Sequence, residues 1–165
     1  MMSRARMVLN CVAGLAILFS AGIAVPQQMP NAYGPEITLD NARKAAEAGL
    51  AEATKNNWKM AVAVVDTHGT LVFFEKIDNT QIASAQVAIN KARSSAIFKR
   101  PTKAFEDALA AGGDGLRTLG LEGAVPLEGG FPIVMDGKIV GGIGMSGGTS
   151  AQDAQCAKLG ADSLK

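Results

Sequence analysis

From Thr38 onward, small and apolar residues recur first at a helical and then at a strand period. In "TLDNARKAAEAGLAEATKNN", Leu39, Ala42, Ala46, Gly49, Leu50 and Ala53 repeat at helical spacing behind a capping threonine, Thr38. "KMAVAVVDTHGTLVFFEKID" then gives two apolar runs, Met60 to Val65 and Leu71 to Phe74, around Asp66-Thr67-His68-Gly69-Thr70. This is a hairpin signal: Gly69 supplies a positive φ, and Asp66 can accept backbone N–H groups in the turn. In "TQIASAQVAINKARSSAIFKRP", Ile82, Ala85, Ile89, Ala92 and Ala96 share one helical face, and Pro101 ends the helix. Pro101 also suits the start of a short helix, "PTKAFEDALAA", which Gly112 to Gly115 break; "LRTLGLEGAVPLE" after it is compatible with a short strand and a loop.

Phe131 to Met135 and Lys138 to Met145 flank Asp136-Gly137, a strong two-residue hairpin signal. Alternation along the second strand places Ile139, Gly141, Ile143 and Met145 on one face and Val140, Gly142, Gly144 and Ser146 on the other. The second face lacks bulk, so a helix, a neighbouring subunit or a flat ligand can approach its backbone. "TSAQDAQCAKLGADSL" closes the chain as a helix with Ala151, Ala154, Leu159 and Ala161 for packing. Helix, hairpin, helices, hairpin, helix is the order of an antiparallel α+β domain.

Upstream, Arg4 and Arg6 precede a mostly apolar run from Met7 to Phe19 and the small residues Ser20, Ala21, Gly22 and Ala24. That order reads as a secretory signal peptide over residues 1–24, cleaved after Ala24, and predicts a periplasmic or secreted protein. The alternative is an uncleaved anchor, since Met7 to Val25 nearly reaches spanning length. Residues 25–36, rich in proline and without periodicity, read as a flexible lead-in to one domain over 37–165. Without Arg4 and Arg6, the 16 basic residues of the chain fall to 14 against 15 acidic ones. A near-neutral surface with no basic stripe excludes general nucleic-acid binding. Cys156 is the one cysteine left after cleavage, so an exported chain has no internal disulfide and relies on packing or oligomerisation.

Two motifs match only in letters. Gly142-Ile-Gly144-Met-Ser-Gly147 fits a dinucleotide fingerprint, yet the sequence ends at Lys165, short of the parallel strand and acidic residue the fingerprint requires. Gly144-Met-Ser146-Gly-Gly148 fits a nucleophile elbow, yet no histidine follows it. His68 is the only histidine and, with no Cys or His cluster nearby, lacks the usual zinc-ligand spacing; an exposed turn residue is its plainest role. Lys91, Arg93, Lys99 and Arg100 cluster near the end of one helix and can pair with carboxylates, or simply form a solvated face.

"MAVAVVDTHGTLVFFEKID", "AINKARSSAIFKRP" and "GGFPIVMDGKIVGGIGMSGGTSAQDAQCAKLGA" together resemble the GlcG/HbpS family of haem-binding or haem-degrading proteins, over nearly all of Ile37 to Leu164. The most specific blocks are Val65-Asp66 through Gly69, Asp78, Lys91-Ala92, Gly129 to Pro132, and Gly141 to Gly147 with Asp153. The resemblance implies a profilin-like α+β sandwich, an antiparallel sheet of about five strands with helices packed on it, commonly in homo-oligomers. It also implies haem or a related tetrapyrrole as ligand, with slow haem breakdown as a further activity. Lys91, Arg93 and Arg100 then become candidates for haem propionates, Gly130 and Pro132 for the cleft wall, and His68 for the iron. Tyr33, Cys156 and the methionines are the other nominal iron ligands, since haem iron accepts one protein ligand from any of these types. The competing readings are a non-catalytic accessory or sensor module, binding a small organic acid or a protein such as a membrane receptor, and an enzyme using Lys91 as a general base near Pro132.

Overall fold

The computed structural model describes residues 30–165; the expected signal peptide lies outside them. Helix α1 covers Leu39–Lys55, strand β1 Ala61–Val65, β2 Leu71–Lys76, α2 Ser84–Ile97, α3 Lys103–Ala110, β3 Gly130–Met135, β4 Lys138–Ser146 and α4 Ser150–Asp162. A 3-10 helix, Gly113–Gly120, occupies the stretch where a short strand was expected. The sheet is antiparallel throughout, in the order β2-β1-β4-β3. Four strands form it rather than about five. Beside β4, beyond the end of β1, the backbone from Ala32 to Ile37 takes the next position: Gly34 N and Ile139 N bond to Ile139 O and Ala32 O, and Ile37 N to Val140 O, each at 2.8 Å. No helix among the described residues is long and apolar enough to cross a membrane.

The turns follow their chemistry. Asp136 and Gly137 both have positive φ, 49° and 72°, as a two-residue hairpin with the right-handed twist requires. Asp66 Oδ1 accepts from His68 N at 2.8 Å and Thr70 N at 2.9 Å, and Gly69 stands at φ 82°. Thr38 caps α1 through Asn41 N, and Thr149 with Gln152 forms a capping box on α4.

One face of the sheet carries the large core. Val62, Val64, Ile133, Ile143 and Met145 pack there with the small inner stripes of α1 and α4, Ala42, Ala45, Ala46 and Ala53 against Cys156, Ala157 and Ala161. On α4 the buried set also includes Asp153 and Gly160, while Ala151 and Leu159 face outward, contrary to the expected stripe. Leu39 likewise faces solvent. Val140 joins this core although alternation assigns it to the other face. The pairs Ile133–Gly141 and Val134–Ile139 leave Val140 unmatched, so a bulge resets the alternation there.

The other face holds a thinner cluster: Ala61, Ala63 and Val65 under Ala88, Ala92 and Ala96 of α2. A Cβ on Gly144 would stand 2.2 Å from Ala88 O and 2.4 Å from Ala92 N; one on Gly142 would stand 2.5 Å from Ala92 O. Helix backbone and strand backbone are therefore in direct contact. Small residues dominate the inner face of α2, with Lys91 the one long side chain buried on the helix, and this reverses part of the expected stripe: Ile82 is 93% exposed and Ile89 only partly buried, while Ser84, Ser94 and Ser95 are buried.

This packing predicts that Gly144→Ala destabilises the domain by about 3 kcal/mol, an overpacking cost, lowering the melting temperature by roughly 10 °C. Gly120→Ala, where an added Cβ meets nothing within 4 Å, is the control and melts with the parent. Melting of Gly144→Ala together with the parent would show that α2 does not lie on β4.

Candidate functional site

Because the inner face of α2 is committed to the glycines, its outer face carries the polar chemistry. Asn90, Arg93 and Ile97 line a groove of about 440 Å³ whose far wall is Glu122, Gly123, Ala124 and Val125. Val125 N donates to Ser94 Oγ at 3.1 Å, which fixes that wall to the helix. The β1–β2 turn borders the groove, since a Cβ on Gly69 would meet Arg93 Cγ at 2.7 Å and Ile97 Cγ2 at 3.3 Å. Arg93 has no ion-pair partner among the described residues and is exposed.

The structure separates the remaining sequence candidates. Lys91, two positions before Arg93, points inward: its Nζ lies 2.7 Å from Asp153 Oδ2 and 3.2 Å from Met145 O, with 2% and 4% of the two side chains exposed. Asp153 Oδ1 accepts from Gly148 N at 3.0 Å. Burial pushes the Asp153 carboxyl above the ordinary carboxylate range, and the Lys91 ammonium and the glycine N–H groups hold it back. Lys91 is thus a buried tie between α2, β4 and α4, and a ligand carboxylate or a substrate proton meets it only if that tie breaks. Arg100 lies elsewhere, its Nε donating to Phe98 O and its guanidinium 5.7 Å from the Phe105 ring centroid. Lys99 sits 4.0 Å over the Tyr33 ring. The four cations of the sequence cluster therefore do not form one anion site.

Gly130 is a packing position: its N donates to Thr102 Oγ1 at 2.9 Å, and a Cβ there would stand 2.4 Å from Lys91 O. Pro132 lies on edge strand β3, where a missing N–H costs no ladder bond. Neither lines the groove. Cys156 is fully buried with its thiol pushed up to about 12 by burial, which removes it as an iron ligand. The Tyr33 hydroxyl donates to the carbonyls of Ala96 and Ile97, both at 3.0 Å, and so closes the end of α2. His68 is exposed, with Nδ1 2.9 Å from Glu36 Oε1; it does not line the groove. Glu36, Glu122 and the partner role of Asp153 were not singled out in the sequence, because each is defined by contacts across many residues of chain.

The groove suits part of a porphyrin. Ile97, Ala124 and Val125 offer apolar surface to a macrocycle, and the free Arg93 guanidinium matches a carboxylate on its edge. The donors it offers to iron are the oxygens of Asn90 and Glu122, with no imidazole among its lining residues.

An antiparallel sheet clothed by α1 and α4 on one side and by α2 on the other, with an open groove that holds Arg93 and Glu122, defines an α+β sandwich. The chain belongs to the HbpS-like family, whose model, described as haem degrading protein HbpS-like, matches residues 37–162. It is 42% identical to Protein GlcG of Escherichia coli strain K12 over 99 residues, 60% of this chain and 72% of GlcG. A crystal structure of a Streptomyces reticuli HbpS double mutant superposes with a TM-score of 0.72 at 28% identity, covering 93% of this chain and 99% of that one. A PduOC:heme complex superposes with a TM-score of 0.70 at 23% identity, covering 79% and 96%, a likeness of fold.

The buried tie carries a pH signature. In Lys91→Met only the glycine N–H groups still offset the desolvation of Asp153, so its folded-state pKa rises further above the unfolded value. A raised carboxyl pKa means stability that is complete below the unfolded pKa and is lost as pH climbs through the folded one. The deficit of Lys91→Met relative to the parent therefore grows as pH climbs from the parent's own raised Asp153 pKa to the still higher one of the variant, by up to about 1.4 kcal/mol per pH unit across that window. Adding Asp153→Asn removes that growth. Urea melts at several pH values measure it, and a deficit independent of pH would contradict the buried pair.

Proposed function

We propose that this chain is an exported, homo-oligomeric haem-binding protein that seats the macrocycle along the outer face of α2. The observation that carries the reading is the groove itself: within a family described as haem degrading, it sets a free arginine beside the apolar side chains of Ile97, Ala124 and Val125. Arg93 holds a propionate, Ile97 and Val125 contact the ring, and Gly69 allows the β1–β2 turn to approach closely enough to form the rim. Export rests on the order of charged, apolar and small residues in positions 1–24, and oligomerisation on the family resemblance. Bound haem supplies redox-active iron, and slow breakdown then needs from the protein little beyond holding the ring in place.

Titration of the tag-free protein with hemin is expected to shift the Soret band saturably at micromolar concentrations. Arg93→Ala is expected to weaken binding about tenfold, the loss of one charge-assisted contact. Lys91→Met, if folded, is expected to bind hemin as the parent does. Absence of a saturable shift would refute the proposal; an Arg93→Ala protein that binds like the parent would move the ligand away from this groove.

A further inference from the structure

His68 is engaged outside the groove, in a cluster of its own. One donor atom each from Glu36, Asp66 and His68 lies within 4.8 Å of the other two. His68 Nδ1 and Glu36 Oε1 stand 2.9 Å apart. At 2.9 Å the pair is hydrogen-bonded. Two atoms bound to one tetrahedral ion at about 2.1 Å each stand about 3.4 Å apart, so the pair needs to open by only about 0.5 Å to take neighbouring positions in a single coordination sphere.

The backbone beneath each donor is fixed. Asp66 Oδ1 is occupied by the N–H groups of His68 and Thr70, which leaves Oδ2 without a bond among the described residues. Glu36 lies between Gly34 and Ile37, whose amides are bonded to the β4 carbonyls of Ile139 and Val140. Two segments 30 positions apart in sequence are thus held together by the sheet, and the site needs no large rearrangement to close on an ion. Two carboxylates and a neutral imidazole present a doubly negative donor set, which a divalent cation neutralises. Imidazole favours zinc, iron, nickel and copper over magnesium and calcium, and the two oxygens are acceptable to the same metals. The glutamate and histidine side chains are largely exposed, so the remaining coordination positions stay open to water.

We propose that Glu36, Asp66 and His68 bind a divalent first-row transition-metal cation at a site distinct from the α2 groove. The site stands whether or not haem occupies the groove.

The test uses tag-free protein and zinc alone. His68 is the only histidine in the sequence, so its ring protons report on the site without ambiguity in an NMR titration. The expected result is a saturable shift with one zinc per chain, and calorimetric affinity falling at least tenfold in Glu36→Gln and in Asp66→Asn. Glu36→Gln alters one exposed side chain and keeps the backbone bonds on either side, so it remains informative even if Asp66→Asn loosens the turn. His68→Ala is expected to abolish zinc binding and to keep the hemin response of the parent. The proposal is overturned if millimolar zinc leaves the imidazole signals unmoved, or if Glu36→Gln binds zinc as the parent does. It is equally overturned if His68→Ala loses the hemin response, which would assign the imidazole to haem.

Discussion

The direct contact between the backbone of α2 and the backbone of β4 organises this domain. Side chains normally hold a helix well above a sheet; here Gly142 and Gly144 remove that spacer, and Ala88 and Ala92 meet the strand itself. Close packing of this kind tolerates no added methyl group without a shift of the main chain. It fixes the rotation of the helix about its axis, and that rotation assigns every residue on it a role. Lys91 falls toward the sheet, where Asp153 neutralises it. Arg93, two positions on and therefore on a different face, falls toward solvent and the groove.

The two charged residues illustrate how one helix supports stability and recognition at once. A buried ammonium and carboxylate give little net stability against apolar replacements, because desolvation offsets their attraction. What the pair provides is position: it ties α2 to the end of β4 and the start of α4, so the outer residues of α2 are presented on a rigid base. The strap from Ala32 to Ile37 adds a second restraint, with the Tyr33 hydroxyl on the last carbonyls of the helix. The groove is thus made from a helix held at its middle by Lys91 and at its C-terminal end by Tyr33, and a loop bonded to it through Ser94.

Much of this was legible in the sequence where local chemistry decides. Both hairpins were, since Asp136-Gly137 and Asp66 to Thr70 carry turn residues whose backbone preferences are specific. The bare face of β4 was also legible, and the glycines on it serve close packing. The inner face of α2 was not legible, because apolar bulk at helical spacing points to Ile82 and Ile89. When the partner strand offers no side chains, the smallest residues turn inward and serines join them. The bulge at Val140 reversed one alternation that a strict period of two cannot anticipate. Lys91 with Asp153, and His68 with Glu36, are separated by 62 and 32 positions; no single-sequence pattern announces such partners. The basic cluster near the end of α2 dispersed because the left-handed residue Lys99, at φ 56°, ends the helix and sends Arg100 toward Phe105.

A crystal structure of the protein with haem tests the central claim most directly. The ring is expected against Ile97 and Val125, with a carboxylate in hydrogen-bond contact with the Arg93 guanidinium. Haem seated instead in the other cavity, between Ile37, Met135 and Val140, would contradict it.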